Sequence, residues 1–363
     1  MLKKKLRYLF IVQGEGRGHM MQAIALQELI LRSGHEIVGV LIGNSPRREI
    51  PHFFYERINA PISVFESPNF ILDKRNQSIK VLPSIILNLK KNKTFLRSLS
   101  EIDQKVKEYK PDVIINFYEL LCGLYFKFYK PAVKNITLSH HYLLVHPEFP
   151  VPKGKIRDKY FMKLNNRITS FGADKVLALS FRELAANRIK NTFVVPPLLR
   201  REIKLSSPEK GDFVLSYILN EGYSEEILNW HKNNKHITLH CFWDKKDVDA
   251  SYSPHENLFF HKLDDKKFLD LLKSCKAYVS TAGFESIGEA MYLGKPVMMV
   301  PTGGHFEQAC NALDAVKAGA GVSVSSFDIQ ILLDFLPEFI PVKDIFHKWV
   351  DKADELFLQH LEE

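Results

Sequence analysis

The sequence has no apolar run approaching the roughly 18 residues that a membrane-spanning helix requires. Its longest candidates, around Leu9–Val12 and Val297–Val300, are only strand-length. Cysteine is scarce: four in 363 residues (Cys122, Cys241, Cys275 and Cys310), far apart, with no CxxC pair. A disulfide framework and a zinc ribbon are therefore not expected; the four read as buried thiols of a reducing compartment. The first residues, Met1-Leu-Lys-Lys-Lys-Leu-Arg7, are basic, but only a very short apolar core follows, with no small-residue cleavage site. That pattern argues against a secretory leader and for a cytoplasmic chain. Fixed-period repeats and low-complexity tracts are absent as well. With 45% hydrophobic and 25% charged residues, the composition is that of a globular protein long enough for two domains.

The charge is unevenly distributed. Residues 1–200 carry 33 Lys+Arg against 16 Asp+Glu, and the remainder carries 17 against 26. A basic half joined to an acidic half points to an anionic partner for the first half: a phosphate-bearing substrate, an anionic membrane surface or nucleic acid. No nucleic-acid-binding motif is present, so nucleic acid is not the expected partner. Residues 80–99 mix apolar side chains with Lys80, Lys90, Lys91, Lys93 and Arg97, a basic amphipathic pattern suited to peripheral contact with anionic lipid.

Strand-like and helix-like runs alternate along the chain. Buried strands are expected at 7–13, 36–42, 112–117, 135–139, 174–179 and 192–195, with a helix over 20–32 ending at Ser33-Gly34. The proline-bearing, polar stretch 196–211 interrupts the series. It then resumes with strands at 213–219, 236–242, 257–261, 277–280, 296–300 and 321–323, and helices at 267–275, 285–293 and 306–317. The reading is α/β: two tandem Rossmann-like, doubly wound parallel sheets with a cleft between them. The first domain spans residues 1–200, the linker 201–211, the second domain 212–340, and 341–363 is a final amphipathic helix that must pack somewhere.

Two stretches carry chemistry. Gly14-Glu-Gly-Arg-Gly-His19 follows the first strand. A dinucleotide site would place an acidic residue at the end of the second strand, but that strand ends Leu41-Ile-Gly-Asn44. The glycines still let backbone N–H groups approach an anion at a helix N-terminus, and His19 is placed to act as a base or as a phosphate donor. The second stretch is Ser280-Thr-Ala-Gly-Phe-Glu-Ser-Ile-Gly-Glu289, continued by Pro301-Thr-Gly-Gly-His-Phe-Glu-Gln308. A tight turn at Thr281–Gly283 opens a helix whose amides, with the Ser286 hydroxyl, suit a phosphate. Glu289, one turn on, lies on the same face and suits a ribose diol, while Glu307 and Gln308 suit a sugar ring.

These stretches resemble the nucleotide-sugar-binding region and the Gly-rich loop of GT-B glycosyltransferases. The likeness is to UDP-glycosyltransferases and to the lipid-linked N-acetylglucosaminyl transferase of peptidoglycan synthesis. The resemblance implies a GT-B fold and transfer of a sugar from a nucleotide-diphosphate donor, UDP-linked by that likeness, to a hydroxyl acceptor that can be lipid-linked, as in bacterial envelope or polysaccharide synthesis. It implies donor contacts from Gly16, Gly18, Thr281, Gly283, Ser286, Glu289, Glu307 and Gln308, and a last helix that returns to the first domain. Glu285 stands where some relatives have asparagine. The spacing of Glu285 and Glu289 differs from that of the retaining enzymes' paired glutamates, which favours inversion. Inversion calls for a base: His19 first, then Glu119, His140 or His141, which all follow strands of the first domain. No cofactor or metal is implied; Asp247-Val-Asp249 reads as a solvated loop. Two rival readings share this pattern: a nucleotide-sugar 2-epimerase, and a binding protein that has lost its chemistry.

Overall fold

A computed structural model describes residues 4–363 apart from 46–48, 69–70, 73–78, 81–91, 186–187, 219–220, 244 and 246–250. Asp247 and Asp249, and most of the basic stretch 80–99, lie outside the described residues. The helix Asn92–Tyr109 takes up the chain where description resumes.

The first sheet contains β1 (Arg7–Gln13), β2 (Glu36–Asn44), β3 (Ile62–Glu66), β6 (Val113–Phe117), β7 (Lys134–Ser139), β8 (Lys175–Leu179), β9 (Arg188–Ile189) and β10 (Thr192–Val195), with β4 (Ile71–Leu72) and β5 (Ile79–Lys80) as a separate ladder. Its order is β3-β2-β1-β6-β7-β8-β10-β9, parallel throughout except for β9 against β10. The second sheet contains β11 (Phe213–Ile218), β12 (Thr238–Trp243), β13 (Ser251–His255), β14 (Leu258–Lys262), β15 (Ala277–Ser280), β16 (Val297–Met299) and β17 (Gly321–Ser323). It is ordered β13-β14-β12-β11-β15-β16-β17, again parallel except at one edge, β13 against β14.

Parallel strands covered on both faces must be apolar throughout. Accordingly, Tyr8 to Val12 of β1 are completely buried, as are Leu239, Cys241 and Phe242 of β12. Strand order reverses at β1/β6 in the first sheet and at β11/β15 in the second. Crevices at such reversals, beyond the carboxyl ends of the strands, are where open α/β sheets bind ligands.

Two segments differ from their sequence reading. The stretch after β10 is not a free polar linker: Pro196, Pro197, Leu198, Leu199 and Arg200 are buried, and the short helix Arg201–Lys204 follows with Ile203 buried. The local sequence is proline-rich and polar, but its apolar side chains have a second domain to pack on. The final segment is two helices, Lys343–Val350 and Ala353–Glu362, instead of one. The first packs on the second half, where the His347 ring stacks 3.8 Å from Tyr292. The second lies against the first sheet, with Phe357 and Leu361 fully buried and Tyr8 Oη donating to the Leu361 carbonyl at 3.2 Å. Among the described residues, no helix is long and apolar enough to cross a membrane.

Candidate active site

The two strand-order reversals face each other across a cleft of about 2540 Å³. Gly16, Gly18, His19, Glu119, His140, His141, Thr281, Gly283, Ser286, Glu289, Glu307 and Gln308 all line it.

On the first-domain wall, β1 runs into Gly14, whose N–H donates to the Gly43 carbonyl at 2.8 Å; a Cβ there would collide with that carbonyl. The helix Arg17–Arg32 opens at Gly16 with no side-chain cap, and a helix N-terminus is a favourable place for an anion. His19 is buried in the first turn, its Nδ1 3.3 Å from Gln22 Oε1. Gln22 Nε2 donates to Glu285 across the cleft, which fixes the amide's orientation. With the amide so placed its carbonyl oxygen accepts from Nδ1 of His19, and Nε2 is the ring nitrogen not used in that bond. Burial lowers the His19 pKa to about 4, so the ring is neutral near pH 7.

The other histidines are engaged differently. His140 Nδ1 donates to the Leu179 carbonyl at 2.7 Å, its ring stacks 4.1 Å from Phe284, and its Nε2 is sealed from solvent. It is a packing residue between the halves, and burial lowers its pKa to about 3. His141 is bonded at both nitrogens, to Ser139 Oγ and, at 2.9 Å, to Glu307 Oε2. Neither ring offers the cleft a free lone pair. Tyr118, held at φ +61° in the turn after β6, stacks 4.2 Å from the His141 ring and donates to Asn166 Oδ1 at 2.6 Å. Glu119 caps the helix Leu120–Tyr129 by accepting from the Leu121 amide at 3.1 Å, and also accepts from Ser67 Oγ at 2.7 Å. Its Oε2 is buried without a partner, and burial pushes its pKa up to about 7.

On the opposite wall, β15 ends at Ser280, and the turn passes through Ala282 at φ +62°, with the Ala282 carbonyl tied to Asn311 Nδ2 at 3.0 Å. The helix Phe284–Tyr292 begins at exposed Gly283 without a side-chain cap, so its N-terminal amides face the cleft. Thr281 is buried, and Ser286 Oγ is 3.4 Å from the Gly283 carbonyl. Gln308 Oε1 accepts from the Thr302 amide at 2.7 Å, bracing the loop after β16.

Three carboxylates on this wall are each tied to the first domain or the linker. Glu285 meets Gln22, and its side chain fills the space a Cβ on Gly18 would need; burial pushes its pKa up to about 7. Glu289 is gripped by both arms of the Arg200 guanidinium, Nε to Oε1 and Nη2 to Oε2 at 2.6 Å, while Nη1 holds Asp265. Glu307 meets His141; burial alone would raise its pKa, but the adjoining imidazole holds it below the usual carboxylate range.

Sequence reasoning missed Arg200, Asp265, Gln22 and Tyr118. Arg200 lies in the proline-bearing stretch 196–211 that interrupts the strand series, and nothing local announces that it is buried. Gln22 is one helical turn beyond His19, a spacing that could have paired them.

The profile of glycosyl transferase family 1 matches residues 6–341. The chain belongs to that family. This glycosyltransferase is 21% identical to the UDP-N-acetylglucosamine--N-acetylmuramyl-(pentapeptide) pyrophosphoryl-undecaprenol N-acetylglucosamine transferase of Bacillus pumilus, over 90% of this chain and 89% of that one. It is 23% identical to an uncharacterized glycosyltransferase of Methanosarcina acetivorans, over 92% and 90%. Among solved structures, Phytolacca americana UGT2, complexed with UDP-2fluoro-glucose and pterostilbene, superposes with a TM-score of 0.66 at 12% identity, covering 98% of each chain. The rhamnosyltransferase SpnG, complexed with thymidine diphosphate, gives 0.62 at 13% identity, covering 99% of this chain and all of its own. The fold of the glycosyltransferase is GT-B.

Proposed function

We propose that this enzyme transfers a sugar from a nucleotide-diphosphate donor to an acceptor hydroxyl, with inversion and without a metal ion. The observation that carries the reading is the position of His19, held through Nδ1 by Gln22 on the same cleft as the uncapped N-terminus of helix Phe284–Tyr292. The B. pumilus relative's name specifies a UDP-linked donor and a pyrophosphoryl-undecaprenol acceptor, and the two solved neighbours hold UDP-2fluoro-glucose and thymidine diphosphate. Those names support the donor class, and the first of them supports a lipid-linked acceptor.

In this scheme Nε2 of His19 takes the proton of the acceptor hydroxyl as the oxygen attacks the anomeric carbon. The bond from that carbon to the diphosphate breaks on the opposite face, and its electron pair leaves on the phosphate oxygen. Helix-terminal amides around Gly283 and Ser286, with those of Gly16 and Gly18, stabilise the charge that develops, which is the service a metal ion would otherwise perform. Glu289 keeps one lone pair per oxygen beyond the Arg200 fork and accepts the ribose hydroxyls there. Glu307 and Gln308 orient the sugar.

Thermal shift with UDP, thymidine diphosphate and their sugars tests the donor site, because a ligand that binds the native state raises its melting temperature. One nucleotide should stabilise the wild type and not Glu289→Ala. His19→Ala should keep that shift while turnover falls by about 10²–10⁴. A folded protein that responds to none of the nucleotides would overturn the proposal. Sugar-nucleotide isomerisation without any acceptor would make the enzyme an epimerase.

A further inference from the structure

The helix Ile156–Thr169 packs one side against the first domain, where Asn166 and Thr169 are buried, and turns the other outward. On that outer side Ile156 is 81% exposed, Tyr160 63%, Phe161 40% and Leu164 42%. The spacing of 156, 160 and 164 makes them neighbours on successive turns. The Tyr160 and Phe161 rings meet at 6.2 Å, so the apolar surface is continuous there. A monomer rarely leaves such a stripe bare without a partner for it.

Charge identifies the partner. Residues 151–169 hold six basic side chains, Lys153, Lys155, Arg157, Lys159, Lys163 and Arg167, and one acidic one, Asp158. All six but Lys159 are exposed. Long cationic side chains around an apolar stripe can lie along it with their heads at the level of lipid phosphates. A protein partner would need an acidic rim matched to this pattern, whereas an anionic bilayer presents a diffuse negative surface to all five at once. The same helix reaches the catalytic cleft, since Phe161, Leu164 and Ile168 line it.

We infer that the outer face of helix Ile156–Thr169, with the basic turn before it, docks on an anionic lipid bilayer and sets the cleft mouth at the membrane surface. Docking stands apart from the chemistry; only its consequence, delivery of a lipid-borne acceptor into the cleft, rests on the proposed transfer reaction.

The test is flotation of the full chain with vesicles of phosphatidylcholine alone and of phosphatidylcholine mixed equally with phosphatidylglycerol. Binding should require phosphatidylglycerol and weaken as salt rises, because exposed charges are screened. Ile156→Ser/Tyr160→Ser removes two side chains that do not line the cleft; it should weaken binding about tenfold or more while leaving the melting temperature unchanged. Lys153→Gln/Lys155→Gln/Arg157→Gln gives an independent loss through charge. Failure to bind mixed vesicles, or equal binding by wild type and both variants, would overturn the inference. So would a dimer in vesicle-free solution that Ile156→Ser/Tyr160→Ser dissolves, since the face would then serve a second copy. No readout involves turnover, so a protein that docks but transfers nothing would count against the proposed reaction alone.

Discussion

Buried ionisable side chains set how this protein answers to pH. Glu119 and Glu285 have an ordinary pKa of 4.5 and are held up to about 7. Below pH 4.5 native and unfolded chains both carry these protons, and the groups' contribution is intact; as pH rises through 7 the native state must ionise buried carboxyls, and stability is lost. His19 runs the other way: ordinarily 6.5, it is held down to about 4, so its contribution is complete above 6.5 and is lost as pH falls towards 4. Glu285→Gln should therefore gain on the wild type between pH 5 and pH 8 in urea unfolding. A constant difference across that range would show that Glu285 is an ordinary carboxylate. Arg200 poses a different problem, because it holds Glu289 and Asp265 while 3% exposed. Arg200→Ala should lose about 3–5 kcal/mol in the same assay, since it strands a buried charge. Arg200→Lys should recover only part of that, because an ammonium cannot reproduce the planar two-armed grip.

Helices and strands were legible where a single periodicity dominated. The strands β1 and β15 fall where the apolar pattern puts them, because parallel strands buried on both faces leave apolar runs, and the helix Phe306–Lys317 falls where its own spacing puts it. The helix His52–Arg57 and the strand Ile62–Glu66 were not read, since both are short and only half buried. The lone final helix became two because Trp349 is drawn to the first domain, its Nε1 donating to the Ser180 carbonyl at 2.9 Å, and the chain changes course just beyond it. At the site, the residues carried by turns and helix N-termini were readable from glycine and acid spacing. The Arg200 fork was not, because its partners are 65 and 89 residues away. Helix contacts invite their own experiment. A Cβ on Gly123 would sit 1.9 Å from the Ile168 carbonyl oxygen, so the helices Leu120–Tyr129 and Ile156–Thr169 touch backbone to backbone. Gly123→Ala should cost about 1–3 kcal/mol, seen as a lower melting temperature, by wedging that pair apart.

At the scale of the whole molecule, the basic first half meets the acidic second half through specific pairs, not through net charge alone. Glu285, Glu289 and Glu307 each find a partner outside their own domain, and Arg57 reaches Asp265 at 3.4 Å. The last helix adds Lys175 to Glu363 at 2.9 Å and the buried Phe357. Phe357→Ala should destabilise by about 3–5 kcal/mol. Ending the chain at Asp351 should split the calorimetric transition in two, because the second half would no longer be clamped to the first sheet. A single unshifted transition would show that the first crossing suffices.

That double crossing has a mechanical consequence. The chain passes between the halves at 196–200 and again near 349–352, and both passes lie by the helix Phe284–Tyr292: Pro197 and Leu199 come within 4 Å of the space beside Gly288, and His347 rests on Tyr292. One pass would let the halves twist freely; two passes by the same rod bind them along a spine, like the leaves of a book. Such a spine hardly moves when the leaves part. The wall of the cleft built on that helix lies beside the spine, so the contacts that join Glu285 to Gln22 and Glu289 to Arg200 sit where parting the leaves would move them least.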